Sequence, residues 1–344
     1  MPKITSANEL SEAVLKSMSD GVLAVDSGKR IVLANSAVEK MFSTKESEIL
    51  GKTVRESVHN NEIADLVEEA MRMDREIEKE INIVIPFVGT FSAVASPLKN
   101  YGGVVCVLHN ITEIRKLENY RSEFVTNVSH ELKTPLTAIS SYVETLLGGA
   151  LDDKAHNREF LGKIEKHTLA LSSLIDDILQ VSQLESKKDF GPFVKLDLVK
   201  IISKACETLT EKAKRKGLEI NKNLKEDQFI ISGNDDQIYR AVLNIFDNAI
   251  NYTEKGGLVS IQCEKKPDSV ELSIIDTGIG IPKDDIPRIF ERFYRVDKAR
   301  SRDLGGTGLG LSIVKHIMNL HNGSVLVESV DGKGSKFTLV FPLQ

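Results

Sequence analysis

Cysteine is scarce in this chain, and its three cysteines are neither paired nor clustered. Cys106, Cys206 and Cys263 are widely separated, so no spacing suits a zinc ribbon or a framework of disulfides. We therefore expect a protein of a reducing compartment, the cytoplasm.

Long apolar runs are also missing. No segment approaches the roughly 18 to 20 apolar residues that a membrane-spanning helix needs, and the first ten residues lack the pattern of a signal peptide. We expect no membrane segment in this chain, although a membrane tether could lie upstream in a longer parent protein.

Positive charge is not in excess. The 50 acidic residues outnumber the 45 basic ones, which gives a net charge of -5. Because nucleic-acid binding requires a basic face that neutralises phosphates, no nucleic-acid partner is expected. The 344 residues suit two or three domains better than one core.

The first third of the chain alternates short apolar runs with turn signals. Runs at 21–25 and 30–34 flank Asp26-Ser-Gly28, which predicts two strands joined by a tight turn. Further patterns predict helices near 36–42 and 62–73 and strands at 81–87, 90–97 and 103–108. This order indicates a sensor-sized α+β unit with an antiparallel sheet.

Residues 124–136 combine a reactive side chain with a helix-breaking one. His130 is followed by Glu131 and then by Pro135, which lacks a backbone donor and should bend the helix one turn after the histidine. A carboxylate beside an imidazole can make it a nucleophile near neutral pH. A packed or solvated histidine is the commoner alternative for this segment alone. A paired zinc site is excluded, because Thr134 stands where a second histidine would be needed.

Apolar residues recur every three or four positions around this segment. From residue 112 they predict one helix of about 35 residues, about 50 Å long, and a second helix is predicted over 154–185 after the breaks at Gly148-Gly149 and Asp152-Asp153. The apolar stripe of this hairpin is too broad for one partner. We therefore expect a homodimer in which two hairpins form a four-helix bundle.

The rest of the chain predicts a sheet covered by helices, after a hinge at 187–192. Helices are predicted at 198–216, 235–251 and 309–321, with strands at 218–223, 259–263, 270–275, 325–328 and 336–341. The elements do not alternate as in a parallel βαβ fold.

One of these helices carries amides on a single face. Asn244, Asn248 and Asn251 are three and four residues apart, with Tyr252 one turn beyond Asn248. Amides on an apolar helix need partners, and a carboxamide oxygen suits Mg²⁺. Ordinary surface asparagines are the alternative for this helix alone.

Two glycine clusters follow. Asp276-Thr-Gly-Ile-Gly280 comes after a strand, so the carboxylate could accept a hydrogen bond from the amine of adenine, and Gly278 and Gly280 would let the backbone approach a flat ligand. An ordinary glycine turn is an equal alternative. The cluster from Gly305 to Leu311 opens a helix, where backbone amides favour phosphate. Its spacing is not that of a Rossmann fold, and neither a P-loop nor a serine/threonine kinase signature is present.

About 25 residues separate the two clusters. The apolar anchor 289–295 and the charged stretch 297–303 predict a mobile lid over a bound nucleotide. Arg292 and Arg295 could reach phosphates, and solvated lid charges are an equal alternative.

Taken jointly and in this order, the clusters resemble the N, G1, F and G2 boxes of sensor histidine kinases. Residues 332–335 are similar to a further glycine box, and 124–136 resemble the H box. Within the family the resemblance is greatest to the phosphate-sensing and cell-wall-regulating membrane kinases. The segments 20–26, 31–35 and 108–113 resemble the start and the exit of a PAS domain.

This resemblance implies a multidomain α+β protein. Its parts would be a PAS sensor domain (8–110), a signalling-helix linker (111–122), a dimerisation and histidine-phosphotransfer domain (123–187) and an α/β sandwich of Bergerat type that binds ATP (193–344). It also implies functional roles: His130 as phosphoacceptor, Asn248 as Mg²⁺ ligand, Asp276 as adenine contact and Thr134 as phosphatase-motif residue. Asn251 replaces a lysine that touches phosphate in many relatives, so that contact is not implied.

We therefore expect an ATP- and Mg²⁺-dependent autokinase in which Glu131 orients His130. The phosphoryl group would pass to an aspartate of a separate response regulator, and Thr134 would support dephosphorylation of that regulator. A PAS-gated scaffold that holds ATP without transferring phosphate, and an ATP-driven clamp, are the alternatives. The candidate nucleotide contacts are Asn244, Asn248, Asn251, Tyr252, Asp276, Gly278, Gly280, Arg295, Gly306, Thr307, Gly308, Leu309 and Gly310.

The ligand of the sensor segment stays open. Cys106 lies in a predicted late strand and is expected in the core. His59 could ligate haem, although a surface loop histidine is commoner. His109 and Glu113 stand four residues apart and could form a metal site with Asp20.

Overall fold

The computed structural model describes residues 7–58, 60–84, 88–99, 101–153, 156–185, 192–224, 228–297 and 306–343. They form two compact units, Met1–Glu123 and Phe124–Gln344, and the division falls within one long helix. His59, most of the predicted hinge (187–191) and the lid residues 298–305 lie outside the described residues. No helix in the described ranges is long and apolar enough to cross a membrane.

The first unit contains a five-stranded antiparallel sheet with helices packed against it. In chain order the elements are α1 (Ala7–Ser17), β1 (Gly21–Val25), β2 (Ile31–Ala34), α2 (Ser36–Phe42), α3 (Glu46–Ile49), α4 (Val54–Val58), α5 (Asn61–Met73), β3 (Ile77–Ile83), β4 (Gly89–Leu98) and β5 (Gly103–Asn110). The strand order is β2-β1-β5-β4-β3. Helix α5 packs on β3, β4 and β5. The sequence predicted the sheet and missed α1, α3 and α4, of which the last two are too short for a helical period to show.

A buried asparagine joins three elements of this unit. The Asn35 side-chain oxygen accepts hydrogen bonds from the amides of Val22 (2.9 Å) and Val38 (3.2 Å). Its amide nitrogen donates to the carbonyl oxygens of Leu15 and Asp20. All four bonding positions of the carboxamide are used, so this buried polar group stabilises the packing of α1, β1 and α2.

A long helix that carries His130 follows the first sheet in the chain. Helix α6 (Thr112–Thr145) runs without interruption through Pro135, and none of its residues is buried. The backbone leaves the helical region at Gly149, where φ is 123°, within a π-helical turn at Leu146–Ala150. Glycine adopts this φ without the steric cost of a side chain. Helix α7 (Asn157–Glu185) then completes the predicted hairpin.

The C-terminal part is a helix layer on a five-stranded sheet. Its elements are β6 (Val194–Asp197), α8 (Leu198–Lys216), β7 (Glu219–Leu224), β8 (Ile230–Gly233), α9 (Asp235–Tyr252), β9 (Leu258–Lys265), β10 (Ser269–Asp276), α10 (Gly310–Leu320), β11 (Ser324–Val330) and β12 (Gly334–Pro342). The strand order is β11-β12-β10-β9-β7, in which only the pairing of β7 with β9 is parallel. Strands β6 and β8 form a separate pair that the sequence did not predict.

Helix α9 is positioned by its cap and by its apolar face. Asn234 caps it by accepting from the amide of Gln237 at 3.1 Å. Ile245 and Phe246 of the apolar face are at most 1% exposed, and burial of each of these large side chains contributes about 1.5–3 kcal/mol. Helix α9 packs between α8 and α10. The opposite face, which carries the asparagines, is therefore directed away from the core.

Candidate functional site

His130 is an exposed side chain on α6. One turn later the Thr134 hydroxyl donates to the His130 carbonyl oxygen at 3.2 Å. The expected bond from Glu131 to the imidazole does not occur among the described residues, because the Glu131 carboxylate instead accepts from Arg295 at 2.9 Å. Adjacent residues on a helix do not face each other, so an interaction of Glu131 with the His130 ring needs another conformation and stays a prediction.

The Arg295–Glu131 pair joins the predicted lid to the histidine helix. The Arg295 side chain is 7% exposed and that of Glu131 is 26% exposed. Arg295 was expected to reach phosphate, but here its guanidinium contacts the carboxylate of Glu131, the residue next to His130. The buried Arg295 Nε has no hydrogen-bond partner among the described residues, so one donor is left for a further acceptor.

An aromatic contact lies next to this ion pair. The rings of Phe124 and Phe293 are 5.8 Å apart, and the guanidinium of Arg292 lies 5.3 Å from the Phe124 centroid. Phe293 has a left-handed backbone, with φ of 62°, which is costly for a bulky residue. Its amide donates to the carbonyl oxygen of Gly308 at 2.9 Å, which joins the two ends of the lid.

The other helix of the hairpin contacts the second glycine cluster. The Thr307 hydroxyl donates to Asp177 of α7 at 2.6 Å. Burial raises the pKa of Asp177, and the hydrogen bond from Thr307 opposes that shift. Farther along, His316 Nε2 lies 3.0 Å from the carbonyl oxygen of Leu184. Both ends of the lid are thus held on the helical hairpin.

The asparagine face of α9 is present as predicted. Asn244, Asn248, Asn251 and Tyr252 are all half-buried. Within the described residues, the side chains of Asn244 and Asn248 make no hydrogen bond, whereas the Asn251 amide donates to Asp247 at 2.9 Å. Because an unpaired half-buried carboxamide can still accept a ligand, Asn244 and Asn248 are suited to binding.

Asp276 ends strand β10 and is 7% exposed. One of its oxygens accepts from the amides of Gly278 (2.8 Å) and Ser335 (3.3 Å). Burial raises the pKa of Asp276, and these two backbone bonds lower it. The second oxygen has no hydrogen bond among the described residues, so the buried carboxylate retains an acceptor for a ligand amine.

Gly278 and Gly280, beside Asp276, have a packing role in addition to any role in ligand binding. A Cβ on Gly278 would lie 2.4 Å from the Tyr252 carbonyl oxygen, and one on Gly280 would lie 2.1 Å from that of Val330. Gly280 also has a φ of 69°. The chain's own backbone therefore occupies the direction in which a side chain would point at both glycines. Close approach of a flat ligand to these glycines stays a prediction.

The second glycine cluster meets the asparagine face. Gly306, Thr307, Gly308 and Leu309 precede α10, and a Cβ on Gly310 would lie 3.6 Å from the Asn244 side-chain oxygen. No side-chain oxygen caps α10, unlike α8 and α9. Its first backbone N–H groups are therefore available to an anion.

Two contacts made by the candidate residues and their neighbours were not predicted from the sequence. Asp177 on α7 carried no signal, because only the folding of the chain brings it to Thr307. Lys212 of α8 was also missed, although its Nζ contacts Asp247 of α9 at 2.5 Å. Both sit on amphipathic helices, where a charged residue predicts only a solvated face.

Of the three residues proposed as metal ligands in the first unit, His109 and Asp20 are in contact and Glu113 is paired elsewhere. His109 Nδ1 lies 2.7 Å from Asp20, while Glu113 pairs with Lys116. The described residues contain no group of three histidine, cysteine or acidic side chains that could hold a metal ion. Cys106 is buried, as expected, and burial raises its pKa to about 12, which keeps the thiol protonated.

Comparisons with protein families match each part of the chain. Residues 9–115 match the PAS fold, and residues 120–187 match the His Kinase A (phospho-acceptor) domain. Residues 233–344 match the histidine kinase-, DNA gyrase B- and HSP90-like ATPases. The fold and the site therefore define a sensor module joined to a phosphoacceptor domain and an ATPase domain.

Curated relatives extend this match over nearly the whole chain. The sensor histidine kinase WalK of Bacillus subtilis is 35% identical over 96% of this chain and 54% of its own length. A sensor protein kinase WalK of Staphylococcus aureus is 32% identical over 97% of this chain and 80% of its own length. The chain belongs to the sensor histidine kinase family. It spans about half the length of the first of these relatives.

Solved structures share the fold. Histidine kinase ThkA, in a complex with the response regulator protein TrrA, gives a TM-score of 0.54 at 20% identity, covering 96% of this chain and 98% of that one. Acinetobacter baumannii histidine kinase AdeS gives a TM-score of 0.51 at 23% identity, covering 62% of this chain and 98% of that one.

Proposed function

We propose that this chain is an ATP-dependent autokinase that phosphorylates His130 and passes the phosphoryl group to an aspartate of a response regulator. The observation that carries the proposal is the exposed imidazole of His130 in the same compact unit as the Asn248, Asp276 and glycine-cluster site. The match to phospho-acceptor and ATPase families supports the pairing of these two sites.

The nucleotide would lie between α9 and the start of α10. Asp276 would accept from the adenine amine through its unbonded oxygen. The segment 306–310, which leads into the uncapped start of α10 and in which the Leu309 amide donates to the Thr307 hydroxyl, would bind phosphate oxygens. Asn248 would bind Mg²⁺, whose charge offsets that of the phosphates, with Asn244, Asn251 and Tyr252 lining the same face. Gly278 and Gly280 would fix the position of Asp276 through their packing.

The transfer step needs little covalent help from the protein. One ring nitrogen of neutral His130 attacks the γ-phosphorus, the N–P bond forms as the bond to the bridging oxygen breaks, and ADP leaves. The remaining ring proton passes to a base, for which Glu131 is the adjacent carboxylate. Because Arg295 holds Glu131 in this conformation, the transfer requires the lid to release the histidine helix.

We further propose that the kinase is bifunctional. The Thr134 hydroxyl is exposed one turn after His130. A bound receiver domain would place its phosphoaspartate beside this helix, where Thr134 could position the water that hydrolyses it. A histidine kinase bound to a response regulator is known for ThkA, which supports a receiver domain as the partner of this chain.

Homodimerisation follows from the exposed apolar side chains of the hairpin. Large apolar side chains on both helices are exposed, including Leu117 at 67%, Leu136 at 56%, Leu169 at 65% and Leu179 at 56%. Their burial in a four-helix bundle of two chains would be favourable. The functional segments would be the PAS sensor (8–110), linker (111–122), phosphotransfer domain (123–187) and ATP-binding domain (193–344), acting in the cytoplasm.

The test is incubation of the purified chain with ATP labelled at the γ-phosphate, with Mg²⁺ or with a chelator. We expect a protein-bound label that is lost in acid and kept in base, as a phosphohistidine is, and that moves to an added receiver domain. Formation should stop when Mg²⁺ is removed. A label that survives acid, or formation without Mg²⁺, would contradict the proposal.

A further inference from the structure

The three asparagines on the face of α9 carry no positive charge. The basic residue of this helix, Arg240, lies one turn before Asn244 and acts on Asp177, where burial raises the pKa and Arg240 lowers it. Asn244, Asn248 and Asn251 are neutral amides, and the adjacent Asp247 is negative. A nucleoside triphosphate keeps a negative charge even with one Mg²⁺ bound, and the neighbouring carboxylate would repel it. A cation beside Asn251, at the other end of this face from Arg240, therefore has to come from another element.

Helix α8 brings that cation to the same place. Lys212 Nζ lies 2.5 Å from one oxygen of Asp247, and the Asn251 amide donates to the other oxygen at 2.9 Å. One carboxylate thus joins the ammonium to the asparagine face. One turn along α8, Lys216 donates to the carbonyl oxygens of Ile250 and Asn251 and fixes the end of α9 against α8.

The ammonium of Lys212 has donors to spare. Its side chain is 45% exposed, compared with 33% for Asp247. An ammonium carries three N–H donors on a flexible four-carbon stem, and Asp247 occupies one of them. The two remaining donors can bind phosphate oxygens without breaking the ion pair.

We propose that Lys212 is a phosphate-binding residue of the nucleotide site, with Asp247 and Asn251 as the residues that position it. The inference rests on the proposed nucleotide site. It adds a binding residue from α8, outside the glycine and asparagine clusters that the sequence revealed. Because Lys212 acts through its charge, it should contribute to binding of the phosphates and not of the adenosine part of the ligand.

The test compares binding of Mg²⁺-ATP and of adenosine by the full chain. In Lys212→Gln we expect Mg²⁺-ATP affinity to fall about five- to twentyfold, the range of a partly exposed charge-assisted hydrogen bond. Adenosine affinity should not change. In autophosphorylation, KM for ATP should rise with little change in kcat. Lys212→Arg should bind Mg²⁺-ATP about as tightly as the unmodified chain does. The double change Lys212→Gln with Asn251→Lys should recover most of the affinity for Mg²⁺-ATP.

A control keeps the outcomes distinct. Lys200→Gln removes an exposed charge from the same helix and should alter binding of neither ligand. Unchanged Mg²⁺-ATP binding in Lys212→Gln, or equal loss of both ligands, would overturn the assignment of Lys212. If the unmodified chain bound neither ligand, the proposed nucleotide site itself would be contradicted.

Discussion

Replacing Asp276 with asparagine should separate nucleotide binding from stability. An asparagine oxygen can still accept from the amides of Gly278 and Ser335, which now donate to Asp276 at 2.8 and 3.3 Å. The second carboxylate oxygen becomes an NH₂ group, which cannot accept from an adenine amine. Loss of a hydrogen bond to a charged group costs about 1.5–3 kcal/mol, so ATP affinity should fall about 10- to 150-fold.

Stability should move in the other direction. Burial is the largest influence on the Asp276 carboxyl and raises its pKa, which means that the charged form is disfavoured in the folded chain. At neutral pH the neutral amide should therefore leave the unfolding free energy unchanged or higher. The exposed Asp268→Asn is the matched control and should change neither property.

Calorimetric titration with ATP and thermal unfolding without ligand would measure both effects. An Asp276→Asn chain that binds ATP as tightly as the unmodified chain would refute the adenine contact. A large loss of stability would refute the reading of Asp276 as a buried, disfavoured charge.

Three further predictions follow. His321 is buried, with Nε2 accepting from the Asn234 amide (3.0 Å) and Nδ1 bonded to the Ile317 carbonyl oxygen (2.8 Å), and burial lowers its pKa. Its contribution to stability should be complete above the unfolded pKa of about 6.5 and should decline as the pH falls below that value. The melting temperature should therefore fall between about pH 7.5 and 5, and His321→Asn should reduce this fall. An equal fall in melting temperature in both proteins would count against this. Gly280→Ala should cost about 1–3 kcal/mol in denaturant unfolding, more than Gly256→Ala, because both have positive φ but only Gly280 faces backbone atoms. Thr134→Ala should abolish regulator dephosphorylation and keep autophosphorylation, and equal loss of both activities would contradict its role.

Elements with a clear hydrophobic period could be predicted from the sequence. Helix α8 begins and ends where the pattern predicted it, because an N-cap at Asp197 and a left-handed glycine at 217 mark both ends. The asparagine face of α9 was predictable from helical spacing, because side chains three or four residues apart share one face of a helix. Strands β6 and β8, with four residues each, are too short to show a period.

Contacts between distant segments could not be predicted. Arg295 and Glu131 are 164 residues apart in the chain, and Thr307 and Asp177 are 130 apart. No local pattern records such a pair, since each residue alone fits a solvated surface. The sequence therefore predicted Glu131 as a partner of His130, whereas the fold pairs it with Arg295.

The central claim is that His130 accepts the phosphoryl group. It is tested most directly by autophosphorylation of His130→Gln with γ-labelled ATP, beside His156→Gln, which changes another exposed histidine of the hairpin region. We expect His130→Gln to bind ATP with unchanged affinity and to incorporate no acid-labile label, while His156→Gln is labelled like the unmodified chain. Acid-labile labelling that persists in His130→Gln would contradict the account.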